Sequence, residues 1–211
     1  MTGTVLASRL TRQHAGSPDG IRRFFDPTSK RDMVRVGPGS YFVTAGGNEV
    51  LTAVLGSCIA VCLRDPKTGI GGMNHFMLPA GIGARGDRSG TDLRCGAHAM
   101  EVLVNEILSR GCPRNRMEVK IFGGSDLFGA ARPVGNQNAT FAMDYLARER
   151  MPIAARDIGG QVPRRVEFVP ATGLARVKLI RDDMVHHVVR ADERYRHKLL
   201  QTSGAGDVEL F

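Results

Sequence analysis

Ile59-Ala60-Val61-Cys62-Leu63, Asp65-Pro66-Lys67-Thr68-Gly69 and Ile70-Gly71-Gly72-Met73-Asn74-His75-Phe76-Met77-Leu78 form the stretch that decides the fold. Two apolar runs flank a turn rich in Asp, Pro and Gly, the pattern of two strands joined by a short loop. In the first run Ile59, Val61 and Leu63 share one face, and Ala60 and Cys62 the other. Just before it stands Leu55-Gly56-Ser57-Cys58, a glycine-framed break that sets a cysteine at the head of the hairpin. The second strand carries His75. A hairpin of this kind brings a thiol and an imidazole to one surface, the minimum equipment for covalent acyl chemistry.

Outward from the hairpin, Met33-Val34-Arg35-Val36, Tyr41 to Thr44 and Val50 to Leu55 read as strands, with Gly46-Gly47-Asn48 between the last two. Downstream, Asp92 to Arg110 is a helix, with Leu93, Ala97, Met100, Leu103 or Val104, and Ile107 at helical spacing and Gly111 at its end. Met117 to Phe122 is a strand closed by Gly123-Gly124. Asn138 is a suitable N-cap for a second helix from Ala139 to about Glu149. Strands follow at Ile153 to Ala155, Arg165 to Val169 and Ala175 to Ile180, the last two joined by Pro170-Ala171-Thr172-Gly173. Strands, helix, strand, helix, strands is the order of a mixed α+β sandwich, an α/β chain with stacked mixed sheets flanked by helices, rather than a doubly wound parallel sheet.

Three parts are expected. Residues 1–31 form a polar, flexible extension in which Phe24-Phe25 is the exception. Residues 32–181 hold the domain. Residues 182–211 form a charged tail with a short helix near Ala191 to Leu200. Within the domain, Ala80 to Thr91 reads as a mobile Gly- and Arg-rich loop.

Composition narrows the function classes. A chain of 211 residues is long enough for one well-buried domain. Neither a membrane-spanning run nor a secretory signal is present, which makes the cytosol the expected compartment. The four cysteines, Cys58, Cys62, Cys95 and Cys112, are then reduced thiols and not a disulfide framework. They lack a Cys-x-x-Cys pair, and Cys95 with His98 has ligand-like spacing only as a pair, so no metal is assigned. The formal net charge of +8 is carried by dispersed arginines without interleaved aromatics. It reads as a solvated surface and not as a nucleic-acid site.

Residue types alone leave Cys58 and His75 open. A free thiol is most often a core residue, and a strand histidine is often a satisfied core group. Two features favour chemistry. Gly56 relieves crowding at a sharp turn and lets the chain present Cys58, and backbone N–H groups at such a turn can hold an oxyanion. Gly71-Gly72 marks a strand against which something packs closely. Thr52, six residues before Cys58, is the third candidate, with a hydroxyl that orients the imidazole or binds substrate. Gly56, Ser57 and Asn74 are candidates for substrate or oxyanion contacts.

Thr52-Ala53-Val54-Leu55-Gly56-Ser57-Cys58-Ile59-Ala60-Val61, followed by Gly71-Gly72-Met73-Asn74-His75-Phe76-Met77-Leu78-Pro79, resembles the CheD family of chemoreceptor glutamine deamidases. Lys120 to Gly124, Gly135 to Asn138, Asp157 to Gly160 and Arg164 to Phe168 fit the same family, and the resemblance spans about residues 33–181. It implies a cysteine hydrolase that converts receptor glutamines to glutamates, with the family's catalytic cysteine, histidine and threonine falling on Cys58, His75 and Thr52. It implies a fold similar to the catalytic domain of cytotoxic necrotizing factor toxins, and no metal or organic cofactor. The implied partners are methyl-accepting chemotaxis receptors and, as in some members, a CheC-type phosphatase. A non-catalytic adaptor or a thiol peptidase would carry the same residue types.

Overall fold

The strand Ile59–Arg64 is buried on both faces because it lies between two separate cores. Ile59, Val61 and Leu63 point to helices, while Ala60 and Cys62 point to a second sheet, as alternation along a strand requires. The chain is described here from a computed structural model, which covers residues 20–45, 47, 49–78, 90–129, 133–181 and 184–203.

In chain order the elements are β1 (Ile21–Asp26), β2 (Arg31–Val36), β3 (Ser40–Thr44), β4 (Val50–Leu55), β5 (Ile59–Arg64), β6 (Gly71–His75), α1 (Gly90–Ser109), β7 (Glu118–Gly123), α2 (Val134–Arg148), β8 (Ile153–Ile158), β9 (Arg164–Val169), β10 (Leu174–Leu179) and α3 (Met184–Ser203). They form two five-stranded sheets, β1-β2-β4-β9-β10 and β3-β6-β5-β7-β8. Each sheet is antiparallel except for one parallel pair, β2–β4 in the first and β7–β8 in the second. The fold is the mixed α+β sandwich expected from the sequence.

Val34, Val36, Leu51, Ala53, Leu55, Met73, Val166 and Phe168 fill the space between the sheets. On the far side of the second sheet, Met100, Leu103 and Ile107 of α1 and Ala142 and Leu146 of α2 cover β5 and its neighbours. The close packing expected at Gly71-Gly72 is made in part by α1, because a Cβ on Gly72 would run into Leu103.

The turn between β5 and β6 is tied by a buried carboxylate. Asp65 accepts from Lys67 N at 2.9 Å and from Arg116 Nη2 at 2.5 Å, and its backbone bonds Ile70 and Gly69. The hairpin register follows: Cys62 faces Met73, and Ile59 bridges Phe76.

Three boundaries differ from the sequence reading. Regular structure begins at Ile21, inside the stretch expected to be a flexible extension. Asp26 caps that β1–β2 turn by accepting from Thr28 N and Ser29 Oγ. As an edge strand with Phe24 and Phe25 largely exposed, β1 shows no alternation to read. The second helix starts at Val134, right after Pro133, so Asn138 lies inside it and not at its cap. In place of a tail with a short helix, α3 runs over 20 residues. The expected mobile loop falls almost wholly outside the described residues.

Candidate active site

The Gly56-Ser57-Cys58 turn between β4 and β5 is anchored by its carbonyls. Gly56 O accepts from Ser125 N at 2.8 Å, Ser57 O from Asn138 Nδ2 at 2.8 Å, and Cys58 O from Gly124 N at 2.8 Å. Asn138 also accepts from Leu78 N at 2.9 Å, which locks α2 to both the turn and the end of the β6 segment. With the carbonyls directed into the fold, Ser57 N–H is left to serve the site. Such a turn is a fixed donor array of the kind an oxyanion needs.

His75 sits on β6, on the same face as Cys58. The register that pairs Cys62 with Met73 and Ile59 with Phe76 sets Ala60 opposite His75 and Cys58 opposite Met77. Cys58 and His75 are therefore diagonal neighbours across the hairpin, a backbone separation of about 7 Å that a thiol and an imidazole can bridge. His75 Nδ1 lies 3.0 Å from Val36 O. A carbonyl only accepts, so Nδ1 carries the ring proton and the lone pair is on Nε2. Among the described residues Nε2 is buried without a hydrogen-bond partner. Burial holds the imidazole neutral, with its pKa lowered to about 4.

The group facing the thiol is Asp192, from the inward side of α3. Its Oδ2 accepts from Ser57 N at 2.6 Å and from Ser57 Oγ at 2.7 Å, and its Oδ1 is 3.9 Å from Cys58 Sγ. Cys58 is fully buried. Gly56 has a different use from the one read in the sequence: a Cβ there would strike the Asp192 carboxylate, so the glycine admits that carboxylate and does not expose the cysteine. Burial pushes the Cys58 thiol well up, and the Asp192 charge and hydrogen bond push it further. Burial also raises the Asp192 carboxyl, against the lowering effect of the Ser57 bonds.

Thr52 lies on β4 and lines a cleft of about 670 Å³ together with His75, Arg35, Glu167 and Asp192. Asn74 lies elsewhere. It faces α1, with Oδ1 accepting from Val61 N at 2.9 Å and Nδ2 donating to Ala99 O at 2.8 Å. Alternation along β6 turns it away from His75, and both ends of its amide serve packing. The structure thus brings Cys58 and His75 to one face of the hairpin with Ser57 and Gly56 at its head, sets Thr52 with His75 on the wall of the cleft, and leaves Asn74 on the opposite face.

Four participants escaped the sequence reading: the Val36 carbonyl, Ser125, Asn138 in its bridging role, and Asp192. Only the last left a signal. Val188, Asp192, Tyr195 and Leu199 recur at helical spacing within the tail, and a carboxylate in an inward stripe asks for an explanation.

Comparison with known proteins agrees with these motifs. The family model described as CheD chemotactic sensory transduction matches residues 77–179. A curated protein of Rhodopseudomonas palustris (strain BisA53), named "Probable chemoreceptor glutamine deamidase CheD", is 43% identical over 194 residues, 92% of this chain and 91% of its own length. A protein of the same name from Caulobacter vibrioides (strain NA1000 / CB15N) is 46% identical over 186 residues, 88% of this chain and 97% of its own. A third, from Caulobacter sp. (strain K31), is 48% identical over 180 residues. The family model starts just after His75, but a match over 92% of the chain leaves too few residues uncovered to miss the segment from Thr52 to His75. A solved Neisseria meningitidis structure aligns with 57% of this chain at 12% identity and a TM-score of 0.33.

Proposed function

The chain belongs to the CheD family, and on that premise we propose that it deamidates glutamine side chains of methyl-accepting chemotaxis receptors through a thioester on Cys58. The observation that carries the reading is the hairpin itself: Cys58 and His75 on one face, with Nε2 of the imidazole open and its tautomer set by Val36 O.

Nε2 takes the Sγ proton, and Sγ attacks the carboxamide carbon. The carbonyl electron pair moves onto oxygen, where the backbone amides of Ser57 and Cys58 hold the charge. The intermediate collapses and breaks the C–N bond, and the imidazolium proton leaves with ammonia. Water, deprotonated by His75, then attacks the thioester and releases glutamate and the thiol. The overall change is glutamine plus water to glutamate plus ammonia. A glutamyl methyl ester would follow the same path with methanol as the leaving group. Because Nδ1 is occupied by Val36 O, Thr52 acts on the substrate from the wall of the cleft. Among the described residues no helix is long and apolar enough to cross a membrane. The substrate reading puts the reaction on the receptors' cytoplasmic part.

The test is incubation of the chain with a receptor cytoplasmic fragment and peptide mass spectrometry for glutamine-to-glutamate conversion. Cys58→Ala should fall to background, and His75→Gln by about 100- to 10,000-fold. Conversion that persists in Cys58→Ala would overturn the nucleophile. Receptor binding without conversion would make the chain an adaptor, and backbone cleavage a peptidase.

A further inference from the structure

Asp192 is 5% exposed, and among the described residues its polar partners are Ser57 and Cys58, with no cation beside it. A buried carboxylate without a counter-ion works against the packing of its own helix. An apolar residue in that place would hold α3 better. Its neighbours Val188, Tyr195 and Leu199 supply what apolar attachment the stripe has, and Tyr195 seats on Gly39, where a Cβ would collide with its hydroxyl. The carboxylate therefore calls for an explanation other than stability.

Its position supplies one. Oδ2 lies on the Ser57 N–H, the donor that a substrate carbonyl oxygen needs. Oδ1 faces the thiol, and the thiol is fully buried with α3 docked on its turn. Among the described residues the His75 ring nitrogen that would take the thiol proton is unpartnered, while the thiol's own contact is with Asp192. Deamidation of a glutamine leaves a side-chain carboxylate at this same location.

We propose that α3 is a tethered product mimic: it occupies the seat of the substrate segment, with Asp192 in the place of the glutamate carboxylate, and must lift away before Cys58 can act. The partner that fits the vacated seat is an amphipathic helix carrying a carboxamide on its buried stripe, at the level of Asp192. Identifying the seat as the substrate's rests on the deamidase reading. The masking of Cys58 rests on the geometry alone.

The test reads the mask without reference to receptors. The intact chain and the full-length variants Tyr195→Ala and Leu199→Ala, which remove apolar attachments of α3, are treated with iodoacetamide, and alkylation of each cysteine is followed by peptide mass spectrometry. Cys95 is exposed and serves as the reference, and Cys62 is buried in the sandwich and reports on the fold. Cys58 should be alkylated about tenfold or more faster in both variants while Cys62 stays protected, because local release of a helix opens only what it covers. Equal Cys58 rates in the three proteins would overturn the mask. A parallel rise at Cys62 would also overturn it, since α3 would then be holding the sandwich and not the site. Receptor-fragment conversion, run on the same three proteins, separates the two readings. Unmasked Cys58 with no conversion sinks the deamidase assignment and leaves the mask standing. Conversion at one rate in all three, with equal alkylation, sinks the mask and leaves the deamidase.

Discussion

Two turns flank β5, and each carries a buried carboxylate, with opposite partners. At the β5–β6 turn Asp65 is fully buried beside the Arg116 guanidinium, and the Arg116 hydrogen bonds hold its carboxyl well below the usual carboxylate range despite burial. At the β4–β5 turn, among the described residues, Asp192 meets only backbone and hydroxyl donors and a thiol, and burial raises its carboxyl. The first comes from β5's own end and fixes the register that aligns Cys58 with His75. The second comes from a helix far along the chain and covers Cys58. A charge matched by a cation is a permanent tie. A charge bought into the core on hydrogen bonds alone is one that the molecule can release, because its ion loses little by returning to water.

Truncation should separate them first. Asp65→Ala removes the carboxylate that ties the β5–β6 turn to Lys67 N and to the Arg116 guanidinium and should clearly destabilise the fold, whereas Asp192→Ala should change stability by about 1 kcal/mol or less. Urea melts of the two variants measure the gap, and equal losses would erase the distinction. A smaller effect is expected at Asn138, which belongs to the permanent side of the comparison. Asn138→Ala strands Ser57 O and Leu78 N inside the fold and should cost about 2–3 kcal/mol in the same melts. It should lower receptor conversion as well, because the donor turn loses one of its carbonyl anchors, and full activity in a folded variant would show that the anchor is dispensable.

How much of this was legible in the sequence depended on whether local pattern and tertiary role agreed. The β5–β6 hairpin was readable because alternation, turn residues and burial all point one way from Ile59 to His75. Cys58 and His75 were readable as neighbours on that hairpin, while their residue types left a role open. Asn138 misled, since asparagine is a favoured N-cap, but here Pro133 precedes the helix and the side chain is spent on a distant carbonyl. Asn74 sits next to His75 in sequence and on the other face in space, which follows from a period of two. The Val36 carbonyl carries no side-chain signature at all. Asp192 was hidden by composition: a helix whose inward stripe mixes few apolar residues, Val188, Tyr195 and Leu199 among them, with charged ones reads as a charged tail until its seat is seen.

The subtlest difference between the two carboxylates is the sign of their titration. Asp65 has a lowered folded-state pKa, so its contribution is present above the unfolded carboxyl pKa of about 3.9 and is lost as pH falls below that value toward the folded one. Asp192 has a raised folded-state pKa, so the folded chain takes up its proton before the unfolded chain does. Its charge disfavours the docked state at neutral pH, and that penalty is relieved as pH falls through the raised pKa toward about 3.9. Unfolding free energies of the intact chain relative to Asp65→Asn and Asp192→Asn, taken from pH 7 downward, should therefore move apart. The intact chain should gain on Asp192→Asn as the solution is acidified, and should lose ground to Asp65→Asn only below about pH 4. Parallel curves would mean that Asp192 is as well compensated as Asp65, and the contrast between a fixed tie and a releasable one would not survive.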